Sequence, residues 1–212
     1  MKTVLAFGDS LTWGAIPASR GARHAYQDRW PSVLEAGLPN VRVICEGLMG
    51  RTTCFDDADA TIDRNGSHIL PILLATHAPL DLVIIMLGTN DLKPEICGNA
   101  DGAAAGMRKL VHIIQTCPFG PGQTVPQILL VAPPRFANAM PANISPAGGR
   151  SIAESLRLSK LYRQVAKECS ATFFDSDSCA IVSPIDGVHL DAVNTQAIGT
   201  ALIPVVAGLV DC

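Results

Sequence analysis

The stretch LVIIMLGTND, residues 82 to 91, runs through six apolar residues without polar alternation and then breaks into Gly-Thr-Asn-Asp. A strand with one wet face alternates apolar and polar residues, whereas an unbroken Val/Ile/Leu run marks a strand covered on both faces, as in a parallel sheet. Four related runs lie to either side: TVLAF (3 to 7), VRVIC (41 to 45), QILLVA (127 to 132) and ATFF (171 to 174). Between them, residues 30 to 38, 67 to 76, 101 to 117, 151 to 169 and 192 to 203 carry helical spacing. In the fourth of these segments Ile152, Leu156, Leu158, Leu161, Val165 and Ala166 favour one face. Strands alternating with helices, joined by right-handed crossovers, predict an α/β fold in the form of a three-layer α/β/α sandwich.

At 212 residues, with no linker-like stretch, the chain is expected to form a single domain over 1 to 212. Hydrophobic residues at 48% and charged residues at 17% argue against disorder and against a coiled coil. Sixteen Lys and Arg against nineteen Asp and Glu give a net charge of −3, with the basic residues scattered. Nothing in that pattern attracts nucleic acid or anionic lipid, so the expected partner is a small neutral molecule. The apolar segment AIGTALIPVVAGLV (197 to 210) falls short of the roughly 20 residues that span a bilayer, and it reads as a C-terminal helix kinked or broken at Pro204. No membrane span is expected. The run after Met1 and Lys2 is too short for a secretory signal. The cysteines at 45, 54, 97, 117, 169, 179 and 212 show no CxxC and no zinc-like spacing to His, and read as free, reduced thiols of a cytoplasmic protein. HExxH, GxxxxGK[ST] and GxGxxG are absent, so no metal and no cofactor are expected.

Ligands of open parallel sheets bind beyond the carboxyl ends of the strands. Those ends lead into Gly8-Asp9-Ser10, EGLMGRTT (46 to 53), GTND (88 to 91), PPRF (133 to 136) and, after about a dozen residues, DGVH (186 to 189). Serine, glycine, asparagine, aspartate and histidine thereby converge on one edge, the inventory for acyl transfer. His189 is the candidate base for a nucleophilic Ser10. Asp186 shares its face if the segment turns, which Gly187 permits, and can orient the imidazole. The backbone N–H of Ser10, the N–H of Gly50 and the side-chain amide of Asn90 are candidate oxyanion donors. Trp13, three residues past Ser10, is a candidate substrate contact or a core residue. Asp56, Asp57 and Asp59 read as a solvated loop rather than a glycosidase pair. Arg51 is open between binding a substrate carboxylate and pinning that loop, and His24, His68, His77 and His112 read as surface or packing residues.

The blocks GDSL (8 to 11), Gly50 within EGLMGRTT, GTND and DGVHL (186 to 190) resemble, in order, the four blocks of the SGNH (GDSL) hydrolases. FGDSLTWG, EGLMGRTT and APLDLVIIMLGTND are similar more narrowly to the bacterial arylesterase and acyltransferase branch. The resemblance implies a flavodoxin-like five-stranded sheet, a triad of Ser10, Asp186 and His189, an oxyanion hole of Ser10, Gly50 and Asn90, and cofactor-free hydrolysis of short-chain esters. Relatives of this branch are often oligomers, and homo-oligomerisation is expected here. PAGGRSIAES (146 to 155) replaces the branch's aromatic, Pro-rich wall, and Pro204 interrupts its final helix. The missing GxSxG elbow separates the chain from the α/β-hydrolases. The expected function is a serine esterase for acetyl to butyryl esters, with acyl transfer to alcohols as a second outcome. The alternatives are a carbohydrate acetylesterase using the same residues, a lysophospholipase or thioesterase with a longer acyl channel, and a catalytically silent binding module.

Overall fold

The computed structural model describes residues 1–19 and 21–210. Strands β1 (Lys2–Gly8), β2 (Val41–Gly47), β3 (Leu82–Met86), β4 (Gln127–Ala132) and β5 (Thr172–Asp175) form one parallel sheet in the order β2-β1-β3-β4-β5. That is the flavodoxin-like order, and its switch point lies between β1 and β3. The helices are α1 (Ser10–Trp13), α2 (Trp30–Ala36), α3 (Gly66–His77), α4 (Ala100–Thr116), α5 (Ile152–Glu168) and α6 (Ala192–Leu209).

The apolar run of β3 is explained by what covers it. Side chains alternate across a strand, so Leu82, Ile84 and Met86 enter one core with Trp30 and Leu34 of α2 and Ile198, Leu202 and Val206 of α6. Val83 and Ile85, with Leu87 just beyond, enter the other core with Leu70 of α3, Leu110 of α4 and Leu158 of α5. All five residues of β3 are buried. Each such aliphatic side chain stabilises the fold by about 1.5–3 kcal/mol, so a polar residue anywhere in β3 would expose the run's whole logic.

Two expectations about helices need correction. α6 does not break at Pro204 and does not stop at 203; it is continuous to Leu209. Proline removes one helical hydrogen bond, but the carbonyl thereby freed belongs to Thr200, which is exposed to water, while Ile198, Leu202 and Val206 anchor both sides of the proline in the core. α6 is long and apolar enough by composition to cross a membrane, with 28% of its length buried inside the molecule, and Ile198, Leu202 and Val206 form the face that packs into the core. In α5, Leu156 points outward at 53% exposure. The inward position is taken by Tyr162, whose hydroxyl donates to the Leu87 carbonyl at 3.1 Å. An aromatic residue with a polar tip was the better core candidate because the end of β3 offers an acceptor. The six cysteines among the described residues are unpaired, and Cys212 lies outside the described residues.

Candidate active site

β1 ends at Gly8, and the Asp9 carboxylate caps the short helix that follows by accepting from the Leu11 N–H at 2.9 Å. This cap sets Ser10 at the first position of α1, where a backbone N–H has no helical acceptor. Among the described residues none accepts the Ser10 N–H. Asp9 itself is buried, and burial pushes its carboxyl up to about 6.

Asp186 and His189 lie on a turn closed by its own backbone. The Gly187 N–H donates to the Ser183 carbonyl at 2.9 Å and the Ser183 N–H to the His189 carbonyl at 2.7 Å. Gly187 has φ +70°, and a side chain there would run into the Ala137 carbonyl oxygen. Only glycine allows both the left-handed backbone and that approach. Asp186 Oδ1 accepts from the N–H groups of Val188 and His189 at 3.0 and 2.9 Å. Its Oδ2 accepts from the Ala18 N–H at 2.9 Å and lies 2.8 Å from His189 Nδ1. Burial alone would raise the Asp186 carboxyl, but the imidazole and the backbone donors outweigh it and hold the group well below the usual carboxylate range. With an ionised acceptor at Nδ1–H, the neutral ring turns an acceptor Nε2 toward Ser10 Oγ, 3.1 Å away.

The remaining donors come from the loops after β2 and β3. Gly50 has φ +82°, and among the described residues none accepts its N–H. Asn90 is fixed from behind: Arg150 Nη2 donates to its Oδ1 at 2.9 Å. Arg150 is 7% exposed and also donates to the carbonyls of Thr89, at 2.7 Å, and Ala147. One Asn90 N–H donates to the Arg51 carbonyl at 3.0 Å. The other reaches Asp9 Oδ2 only at 3.4 Å, the long limit of a hydrogen bond, and is the one free to take a better acceptor. Asp91 joins the two loops by accepting from the Thr53 N–H and hydroxyl, and burial pushes its carboxyl up to about 7.

Ser10, Gly50, Asn90 and His189 line one cavity of about 210 Å³. Its wall is completed by Met49 and three cations, Arg64, Lys93 and Arg150. Cavities of about 430 and 540 Å³ lie elsewhere, against Phe119 and against Tyr26, but neither carries a nucleophile beside a base. Chemically, the Ser10 cavity pairs a hydroxyl with an acceptor imidazole and presents three N–H donors where charge could develop on an oxygen.

Trp13 does not line this cavity; its ring lies beneath the Arg23 guanidinium at 4.8 Å. Arg51 does neither of the two things open to it from sequence. It is buried, donates to the carbonyls of Gly8 and Glu46, and stacks over Phe7 at 4.4 Å, joining the ends of β1 and β2. The 56–59 loop is pinned instead by Arg64 on Asp57, at 2.8 Å, and by Asn65 on Asp56. His24 is a buried packing residue bonded to the Leu190 carbonyl. Arg64, Lys93 and Arg150 were missed from sequence. The only signal was a set of isolated charges, Arg64 two residues before Gly66, Lys93 two residues past GTND and Arg150 directly after Gly148-Gly149, in segments that the fold had not yet brought together.

Fold and site together define an SGNH-type hydrolase domain. The chain belongs to the GDSL-like lipase/acylhydrolase family, whose profile matches residues 6–193. No curated protein sequence matches it. Among solved structures it is similar to a protein assigned as an arylesterase from Agrobacterium tumefaciens str. C58, with 53% identity and a TM-score of 0.94 over 99% of this chain and 100% of that one. It is also similar to a carbohydrate acetylesterase family member from Sinorhizobium meliloti, at 47% identity and TM-score 0.92 over all of both chains. The aryl esterase of M. smegmatis is 39% identical, with TM-score 0.88 over 99% of this chain and 100% of that one. Family and neighbours support an esterase.

Proposed function

We propose that this protein is a serine esterase that cleaves short-chain carboxylic esters through an acyl-enzyme on Ser10. The observation that carries the reading is the hydrogen-bonded chain from Asp186 through His189 to Ser10 Oγ, with links of 2.8 and 3.1 Å. His189 Nε2 takes the hydroxyl proton as Ser10 Oγ attacks the ester carbonyl, and Asp186 stabilises the imidazolium that results. The oxyanion is met by the N–H groups of Ser10, Gly50 and Asn90. Collapse expels the alcohol, which takes its proton from His189, and the acyl-enzyme is then resolved by water or by a second alcohol with His189 again as base. The cavity of about 210 Å³ is below the roughly 300–1,000 Å³ of drug-sized pockets, which favours acetyl to butyryl groups.

A second reading, deacetylation of carbohydrates by the same residues, is favoured by the 47% identity to the carbohydrate acetylesterase family member. Hydrolysis of 4-nitrophenyl acetate, butyrate and octanoate by the wild type and by Ser10→Ala tests the first reading, and acetylated sugars beside them test the second. Turnover of the two shorter esters is expected in the wild type, with kcat reduced by about 10⁴-fold or more in Ser10→Ala. Turnover that survives the substitution would remove Ser10 from the chemistry.

A further inference from the structure

Three positive charges surround the cavity at Ser10, and the acyl-transfer steps use none of them directly. Arg64 is paired with Asp57 at 2.8 Å, but its Nε is buried with no hydrogen-bond partner. Arg150 donates to the carbonyl oxygens of Thr89, Ala147 and Asn90, all of them neutral. The Lys93 ammonium has no ion pair or hydrogen bond among the described residues. Among the described residues Asp57 is therefore the single carboxylate hydrogen-bonded to any of the three. No other acid hydrogen-bonds to them: Asp9, beneath the site with its carboxyl pushed up to about 6, and Asp186, held by His189 and three backbone N–H groups, act on Arg150 only through space, as Asp57 does on Lys93. Glu95 interacts with Lys93 and Arg150 only through space.

Gathering like charges in a partly desolvated cavity is unfavourable, and the molecule shows it. Burial first, and then the neighbouring Arg150 charge, lowers the Lys93 ammonium below its ordinary range, against the opposing charges of Asp57 and Glu95. A neutral ester does not offset that cost. A carboxylate on the substrate does, and it also meets the unused donors of Lys93 with charge-assisted hydrogen bonds, beside the 30%-exposed side chain of Arg64 on the same wall.

We propose that the ester this site takes carries its own carboxylate, bound by Lys93 and Arg64 while the ester carbonyl sits at Ser10. The proposal rests on the esterase reading and narrows its substrate class to anionic esters, in place of the neutral molecule expected from net charge. The carboxylate can belong to the acyl part, as in the half-ester of a dicarboxylic acid, or to the alcohol part, as in an acylated hydroxy acid.

Two isosteric pairs test it. Monoethyl succinate against ethyl 4-oxopentanoate places the charge on the acyl side, and 4-acetoxybenzoate against 4-acetylphenyl acetate places it on the alcohol side. The reading is the anionic-to-neutral ratio of kcat/KM at low salt, for the wild type and for Lys93→Met, so that a general loss of activity in the variant cancels. In one of the two pairs the wild-type ratio is expected to exceed one and to fall about fivefold or more in Lys93→Met, the size of one partly screened charge pair. The same ratio should decline as salt rises from about 0.01 to 0.5 M. Whichever pair responds identifies the side that bears the charge. A wild-type ratio at or below one in both pairs, or a ratio that Lys93→Met leaves unchanged, overturns the proposal. The neutral member of each pair reports the esterase itself, so loss of its turnover in the wild type marks failure of the underlying reading instead.

Discussion

Ser10 stands between two constructions of different kinds. On one side, the turn at 183–189 presents Asp186 and His189, and most of the hydrogen bonds that shape it close within that turn. On the other side, Arg64, Lys93 and Arg150 arrive from three separate segments and meet only once the sheet is assembled. The difference follows from the distance dependence of what each side supplies. Proton transfer needs hydrogen-bond geometry correct to a few tenths of an ångström, which a self-closed turn provides. A charge acts through a field that decays slowly with distance, so flexible side chains from distant segments suffice.

Breaking the turn side should therefore cost most. Asp186→Asn keeps the shape but puts an amide where the ionised acceptor was, so the imidazole no longer turns an acceptor Nε2 to Ser10. A fall in kcat of about 10⁴-fold on 4-nitrophenyl acetate is expected, with the circular-dichroism spectrum of the wild type retained. A loss below tenfold would show that Asp186 does not fix the ring. Asn90→Ala removes one oxyanion donor and should lower kcat by about 10²–10³-fold with KM little changed. Arg150→Met sharpens that result on the same neutral ester. If Arg150 works by holding the Asn90 amide, it lowers kcat about tenfold in the wild type and adds little to Asn90→Ala. Losses that multiply in the double variant would mean that Arg150 acts independently of Asn90.

What was legible in the sequence divides along the same line. β3 could be read because full burial writes itself as an unbroken apolar run, and Ser10, Asp186 and His189 because they fall in two short blocks, GDSL directly after β1 and DGVH about a dozen residues after β5. The path of α6 through Pro204 was not legible, since local proline chemistry predicts a break and only the packing of Ile198, Leu202 and Val206 overrides it. Leu156 and Tyr162 exchanged places for a comparable reason: the Leu87 carbonyl that accepts from Tyr162 is a feature of the folded sheet. Trp13 follows Ser10 in sequence, but its ring is taken by Arg23. The cationic wall has no sequence pattern at all, because nothing in the spacing of Arg64, Lys93 and Arg150 requires them to meet.

The smallest effect concerns stability, and it contrasts the two carboxylates on either side of Ser10. Asp186 accepts four hydrogen bonds and stays ionised at every pH where the protein is expected to work. Asp9 accepts one short backbone bond, from Leu11, and burial raises its carboxyl from 3.8 to about 6; Asp91 is raised in the same way to about 7. A raised acid keeps its proton in the folded state where the unfolded chain has released it. Its contribution to stability is thus greatest below the unfolded value near 3.8 and is lost as pH rises through the folded values of about 6 and 7. The melting temperature should decline between about pH 4 and 7. Asp9→Asn keeps an acceptor for the Leu11 N–H and removes the buried charge, so it should flatten the lower half of that decline and raise the melting temperature at pH 8 by about 2–4 °C, the shift that 1 kcal/mol produces in a chain of this size. Thermal melts of both proteins across that range are the check. A slope that Asp9→Asn leaves intact would assign the titration to Asp91, on the loop contact with Thr53, and would mean that burial does not raise the Asp9 cap above its unfolded value.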